Sequence, residues 1–218
     1  MTFDRIENID GAVIHHGTAN NRIYLLSCPE NKLPGIHETL LDLATKNEYG
    51  KMILKIPAEH FPLFQSKGYM KEARIPGFYD GTRDCIFAAF YLDQKRQVLE
   101  NESEIQSILE QAKQRESGSA SIKTCPADCS IEKLTPSDAN DVAQLFRDVF
   151  ATYPFPIHDP DYIISTMNSH VIYFGVKQNG KLIAISSIEA DPSKRNGEMT
   201  DFATLPSARG KGLAGLLL

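Results

Sequence analysis

Long apolar runs are missing from this sequence of 218 residues. A helix needs roughly 20 consecutive apolar residues to cross a bilayer, and no run here approaches that length. The N-terminal residues Met-Thr-Phe-Asp-Arg also lack the basic region and following apolar region of a signal peptide. We therefore expect a cytoplasmic protein without a membrane partner.

Positive charge is scarce as well. Lysine and arginine together number 23, against 28 acidic residues, and the formal net charge is −5. Proteins that bind a nucleic-acid backbone need clustered basic residues that release counterions, and no basic stripe occurs in this sequence. This composition argues against a nucleic-acid partner and favours a small-molecule partner.

Cysteine is sparse, with four residues in the chain. Cys28 and Cys85 are isolated, while Cys125 and Cys129 form a C-x3-C pair. That pair is a weak zinc signal, because no second Cys or His pair follows at the spacing of a zinc finger. We predict reduced, unligated thiols and no metal.

The chain has ordinary globular composition, with 42% hydrophobic and 23% charged residues, and its length suits one large domain or two small ones. Residues 94–116 are predicted to form an amphipathic connecting helix, with an apolar stripe at Val98, Ile105, Ile108 and Leu109. The stretch 117–121 is rich in Gly and Ser and breaks this helix. We therefore predict an N-terminal α+β domain at 1–95, a connecting helix and linker at 96–128, and a second domain at 129–218.

The second domain is predicted to contain a short strand, a helix, an aromatic loop and three further strands. Thr135 is placed to cap the helix, and three prolines within residues 153–160 exclude a helix interior there. An Asn179-Gly180 pair predicts a tight hairpin. The strands are expected at 130–134, 171–176, 182–189 and 198–205. An antiparallel meander should then lead directly into a glycine-rich helix start.

Residues 206–218 begin with closely spaced glycines and continue with helix-forming residues. Successive glycines let backbone N–H groups approach an anion, and the following helix adds the positive end of its dipole. The P-loop pattern G-x4-G-K-[ST] is absent, and a dinucleotide fingerprint does not fit. From the residues alone, two readings stay open: a phosphate or pyrophosphate site, and a structural turn that binds nothing.

Arg209, Gly212 and Ala214 match R-x-x-G-x-[GA], and the segment from about Ile131 to Leu218 resembles the GNAT superfamily of N-acetyltransferases. The resemblance implies a mixed, mostly antiparallel sheet with flanking helices, within the α/β (α+β) class. It also implies that acetyl-CoA is the co-substrate. By resemblance, its pyrophosphate lies on Arg209, Gly210, Lys211, Gly212, Leu213, Ala214 and Gly215, and its pantetheine on the backbone of Ala203, Thr204 and Leu205.

Three shorter stretches, at 22–25, 153–157 and 198–206, look like the beta-lysine N-acetyltransferase family. This resemblance implies an enzyme that acetylates beta-lysine to the osmolyte N-epsilon-acetyl-beta-lysine. Another small amine or a protein N-terminus is the alternative acceptor, and a non-catalytic acetyl-CoA-binding module is the alternative class. A homodimer is a candidate assembly.

GNAT folds continue beyond the helix that follows the phosphate loop, whereas this sequence stops at Leu218. We therefore expect a C-terminally truncated chain that is a poor catalyst as it stands. Residues 36–92 show the helix, strand, helix, strand, strand order of the missing half, and 64–69 are similar to its "LYxKxGF" phrase. We predict a degenerate GNAT-like half in the N-terminal domain, without a second coenzyme site.

Acetyl transfer needs a neutral amine, so a carboxylate should accept a proton from the ammonium. Glu198 and Asp201 are the candidate catalytic residues, with Glu198 preferred by its position on the strand. The two side chains share a cleft only if the strand is bulged between them, because strand residues alternate between faces. Tyr153, Phe155 and His158 are candidate substrate-binding residues, although their loop could equally pack on its own domain.

Overall fold

A computed structural model describes residues 4–116 and 124–218. The chain divides into two compact units, of which the first ends at Asn101 and the second begins at Glu102. The predicted break at 117–121 lies outside the described residues. No helix in the described ranges combines the length and the apolar character needed to span a membrane.

The first unit is a six-stranded sheet in the order β1-β2-β3-β4-β6-β5. Its strands are β1 (Arg5–Ile9), β2 (Ala12–Gly17), β3 (Arg22–Ser27), β4 (Lys51–Pro57), β5 (Met70–Tyr79) and β6 (Arg83–Tyr91). Its helices, α1 (Leu33–Lys46) and α2 (Phe61–Gln65), pack their apolar residues against the sheet. β2 and β3 form an antiparallel hairpin, and the predicted order α1, β4, α2, β5, β6 is confirmed.

The predicted helix over 94–116 is wrong in its first third. A short 3-10 turn occupies Gln94–Gln97, Val98 is extended, and α3 begins only at Glu102 and ends at Glu116. The Asp93 side chain caps this turn by accepting a hydrogen bond from the backbone N–H of Lys95, at 3.0 Å. Acidic residues in the first turn of α3 then suit the positive end of the helix dipole.

The second unit is a four-stranded antiparallel sheet in the order β10-β9-β8-β7. Its strands are β7 (Cys129–Lys133), β8 (Val171–Gln178), β9 (Lys181–Asp191) and β10 (Asn196–Thr204), and its further helices are α4 (Ala139–Val149), α5 (Pro160–Met167) and α6 (Leu213–Leu217). The predicted meander is confirmed. The helix α5 was not predicted; it starts where Asp159 accepts a hydrogen bond from the N–H of Asp161, at 3.0 Å, with Pro160 in the first turn.

Helices cover both faces of this second sheet. Alternation along β9 places Ile185 against α4 and α5, and Ala184 against α6. The buried hydroxyl of Ser186 donates a hydrogen bond to the Leu217 carbonyl, at 3.2 Å, and so attaches α6 to β9. The protein therefore has the expected mixed α/β architecture, with antiparallel-dominated sheets and flanking helices.

Candidate active site

A β-bulge in β10 is the main irregularity of the second sheet. Thr200 pairs with Ser187 and Ala203 pairs with Ile185, so Asp201 and Phe202 together face a single residue of β9. Asp201 has a φ of 50°, in the left-handed region that non-glycine residues rarely adopt. A bulge shifts the alternation of side chains. Here it brings the Asp201 side chain to the face that carries Thr200 and Ser187.

The Asp201 carboxylate is held by hydroxyl groups from two other elements. The Ser187 hydroxyl on β9 donates to Oδ2 at 2.6 Å, and the Tyr153 hydroxyl, from the loop between α4 and α5, donates to Oδ1. Ser187 is fully buried and Asp201 is half-buried. Burial, together with the adjacent Asp201 carboxylate, raises the pKa of Tyr153 well above its ordinary value. Tyr153 therefore stays a neutral phenol that can donate.

Two further tyrosines lie near Asp201. Burial, with smaller contributions from the charges of Asp201 and Glu189, raises the pKa of Tyr162 on α5 and of Tyr173 on β8 to about 12 each. The Tyr173 hydroxyl bonds to the Thr166 hydroxyl at 3.0 Å. This side of the sheet thus combines neutral phenols with carboxylates.

The predicted carboxylate Glu198 lies at the beginning of β10. It is exposed and pairs in register with the exposed Glu189 of β9. Glu198 is two residues before Thr200, so both point to the same face of the strand. Because the bulge turns Asp201 to that face as well, the geometric condition stated from the sequence is present in the structure.

The three predicted residues of the aromatic loop have different surroundings. Tyr153 reaches Asp201, whereas Phe155 stacks on Tyr162 with ring centroids 6.5 Å apart and planes inclined by 9°. The carbonyl of His158 accepts a hydrogen bond from Arg147. Within the described residues, the buried Nε2 of His158 has no hydrogen-bond partner, and no hydrogen bond joins this residue to Asp201.

The glycine-rich loop connects β10 to α6. Gly210 and Gly212 have φ values of 77° and 76°, and Gly212 directly precedes the first residue of α6. The first N–H groups of a helix have no partner within the helix and attract anions. An open cavity of about 730 Å³ adjoins the loop. It is lined by Thr204, Ala208, Arg209, Gly210, Gly212, Leu213 and Ala214.

The end of β10 restricts which backbone groups can meet a ligand. The N–H of Leu205 donates to the Ile183 carbonyl at 3.0 Å, so this N–H is occupied within the sheet. Successive residues of a strand direct their backbone groups to opposite edges, which points those of Thr204 away from β9. Its carbonyl accepts a hydrogen bond from Arg209 Nε at 3.2 Å, leaving the Thr204 N–H as the donor on that edge.

One group of potential metal ligands, Glu30, Glu59 and His60, comes together within the described residues. The Arg83 guanidinium already binds this group, with Nε donating to Glu59 at 2.6 Å and Nη1 to Glu30 at 2.9 Å. The group is therefore satisfied by an internal cation. Cys125 and Cys129 are both free thiols.

Sequence reasoning missed Ser187 and Tyr162. Ser186 and Ser187 form a hydroxyl pair inside an otherwise apolar strand, and this was the available signal for Ser187, since a fully buried hydroxyl needs a partner. Nothing in the local pattern indicated Tyr162, because the helix that carries it was itself not predicted.

Comparison with known proteins identifies the family of this chain. A model of the acetyltransferase (GNAT) family matches residues 139–218. A beta-lysine N(6)-acetyltransferase of Methanosarcina mazei is 30% identical over 189 residues, which cover 78% of this chain and 69% of that protein. A beta-lysine N(6)-acetyltransferase of Methanococcus maripaludis is 28% identical over 220 residues, covering 99% of this chain and 77% of that protein.

Among solved structures, that of L-PGS from Bacillus licheniformis matches with a TM-score of 0.52 at 15% identity. The match covers 98% of this chain but only 62% of that chain, and it concerns the fold alone. The sequence relatives carry the assignment of family. The chain belongs to the GNAT family of acetyltransferases, acyltransferases that use acetyl-CoA.

Proposed function

We propose that this protein transfers the acetyl group of acetyl-CoA to an amine of a small amino acid. The proposed acceptor is beta-lysine, and the product is the osmolyte N-epsilon-acetyl-beta-lysine. Two relatives named beta-lysine N(6)-acetyltransferase support this acceptor. One structural observation carries the proposal. Strand β10 has Glu198 and Asp201 on one face, beside its bulge, and leads directly into the glycine-rich loop.

In this proposal, acetyl-CoA binds at the C-terminal end of β10. The pyrophosphate of acetyl-CoA binds the N–H groups of the loop that includes Gly210 and Gly212, and the N–H of Thr204 meets the pantetheine arm. Asp201 precedes Thr204 by three residues, and the bulge keeps their separation below the roughly 10 Å of an extended strand. The thioester is therefore bound beside the bulge, where an acceptor amine can approach it.

The acceptor enters as an ammonium ion. A lysine-type ammonium has a pKa near ~10.4, so a carboxylate on the Glu198 and Asp201 face takes one proton from it. The neutral nitrogen then attacks the thioester carbon, and the carbonyl electron pair moves to oxygen, where a hydrogen-bond donor stabilises the negative charge. Collapse of this intermediate breaks the C–S bond and expels the CoA thiolate, and the second proton of the nitrogen neutralises the thiolate through solvent.

The charge of this face favours a cationic acceptor. Glu189 and Glu198 are paired across β9 and β10, and Asp201 lies on the same side of the sheet. Like charges directly opposite each other destabilise a sheet, and an ammonium group between them removes this repulsion. Beta-lysine carries two ammonium groups, one to be acetylated and one that can remain paired with a carboxylate.

The proposal is tested by steady-state kinetics with acetyl-CoA and a panel of acceptors. The panel contains beta-lysine, alpha-lysine, ornithine and a short peptide with a free N-terminus, and CoA release is followed with a thiol reagent. We expect kcat/KM for beta-lysine to exceed that of the others by about 10-fold or more. A peptide as the best substrate would favour the alternative acceptor, and the absence of CoA release with every amine would contradict the proposal.

A further inference from the structure

Ser187 is a fully buried hydroxyl on the face of β9 that packs beneath α4 and α5. A buried hydroxyl is costly without a hydrogen-bond partner, and the partner here is Oδ2 of Asp201 at 2.6 Å. The bulge is what makes this contact available, because without it Asp201 would point to the opposite face.

Tyr153 holds the other carboxylate oxygen of Asp201 from a different direction, through the loop between α4 and α5. An ionised carboxylate has about four acceptor sites. Ser187, Tyr153 and the more distant Thr200 hydroxyl, at 3.4 Å, leave one of them for a proton donor from the cleft. Glu198, in contrast, is exposed at the start of β10. Of the two carboxylates on this face, Asp201 is thus the one that is fixed in position by its neighbours.

We propose that Ser187 and Tyr153 are positioning residues that hold Asp201 as the proton acceptor in acetyl transfer. This inference rests on the proposed function and moves the proton-accepting role from Glu198, which the sequence favoured, to Asp201. Functional groups held within a fraction of an ångström by neighbouring hydrogen bonds need little reorganisation during reaction. The backbone of Asp201 is left-handed, and both hydroxyls bind its side chain in this conformation.

The titratable groups that face Asp201 determine how the pH profile of the reaction rate is interpreted. They are Tyr153 from the loop, Tyr162 from α5, Tyr173 from β8, and Glu189 and Glu198 from the paired strands. The three phenols remain neutral to well above pH 9, since burial raises their pKa values. The phenols therefore do not contribute to the acid limb of the rate profile. A hydroxyl that donates to a carboxylate favours its charged form, so we expect removal of such a donor to move the acid limb to higher pH.

The test is the pH profile of kcat/KM with acetyl-CoA and beta-lysine for the parent, Ser187→Ala and Tyr153→Phe. Ser186→Ala is the matched control, because this neighbouring serine is equally buried but bonds to the Leu217 carbonyl on the other face. We expect kcat to fall by roughly tenfold in Ser187→Ala and Tyr153→Phe, as for one lost hydrogen bond to a charged group. The acid limb should move to higher pH in both variants and stay in place in Ser186→Ala.

A double-mutant comparison distinguishes positioning from a general loss of structure. In an Asp201→Asn background the proton acceptor is gone, so adding Ser187→Ala should have little further effect on kcat. Additive losses, or an unshifted acid limb in an active Ser187→Ala enzyme, would overturn the inference while leaving the proposed function intact. A parent protein that acetylates no amine would overturn both. If circular dichroism shows that Ser187→Ala is unfolded, the half-buried Tyr153→Phe decides by the same criteria.

Discussion

Replacement of Gly210 by alanine tests whether the left-handed turn before α6 holds acetyl-CoA. Gly210 has a φ of 77°, and a Cβ built on it would have no neighbouring atom within 4 Å. The substitution therefore introduces no steric clash. Its effect comes from the backbone, because an L-residue in the left-handed region is disfavoured by about 1–2 kcal/mol.

The same strain predicts the size of both measurable effects. If the alanine variant must adopt the left-handed turn to bind, the competent fraction of the loop falls and the dissociation constant for acetyl-CoA rises about 5- to 30-fold. Any part of this cost that the free protein already pays appears instead as a lower melting temperature, by roughly 2–4 °C for each kcal/mol. Isothermal titration calorimetry and thermal unfolding measure the two effects.

Gly180→Ala is the matched control. Gly180 also has a φ of 77° and open space around its Cβ position, but it lies in the turn between β8 and β9. This variant should lose a similar amount of thermal stability and keep the parent's affinity for acetyl-CoA. A Gly210→Ala variant that keeps both the parent's affinity and the parent's stability would refute the role of the left-handed turn in binding acetyl-CoA.

Two further substitutions test the carboxylates. Glu198→Gln should lower kcat/KM by less than about tenfold, whereas Asp201→Asn should lower it by about 100-fold or more, and a reversed order in steady-state assays would restore Glu198 as the base. In the first unit, hydrogen bonds from Arg83 and His60 lower the pKa of Glu30 from 4.5 to about 2. The stabilisation by ionised Glu30 is therefore complete above pH 4.5 and lost as the pH falls towards 2. Because Glu30 is half-exposed, Glu30→Gln should cost under about 1 kcal/mol in urea unfolding at pH 7 and almost nothing at pH 2, and an equal cost at both pH values would exclude this ion pair as the cause.

Local sequence signals predicted those parts of the fold that depend on neighbouring residues. The Asn179-Gly180 hairpin, the meander and the glycine loop each follow from residues close together in the chain. The helix α5 was missed because three prolines in 153–160 dominated the local pattern, and its start depends on the side chain of Asp159.

The candidate site was predictable only in part, because its contacts join residues that are far apart in the sequence. Tyr153 and Asp201 are 48 residues apart, and Ser187 meets Asp201 only in the register that the bulge allows. Strand alternation showed that a bulge was required for Glu198 and Asp201 to share a face. It could not show which hydroxyl groups would then bind the carboxylate, since that depends on long-range pairing.

The most direct test of the account is to identify the product formed from acetyl-CoA and beta-lysine. NMR spectroscopy of the reaction mixture should show one acetyl group on the ε-nitrogen for each CoA released, and substitution of Asp201 by Asn should suppress both products together. Release of CoA and acetate without an amide, or no consumption of acetyl-CoA by the parent protein, would contradict acetyl transfer at the β10 bulge.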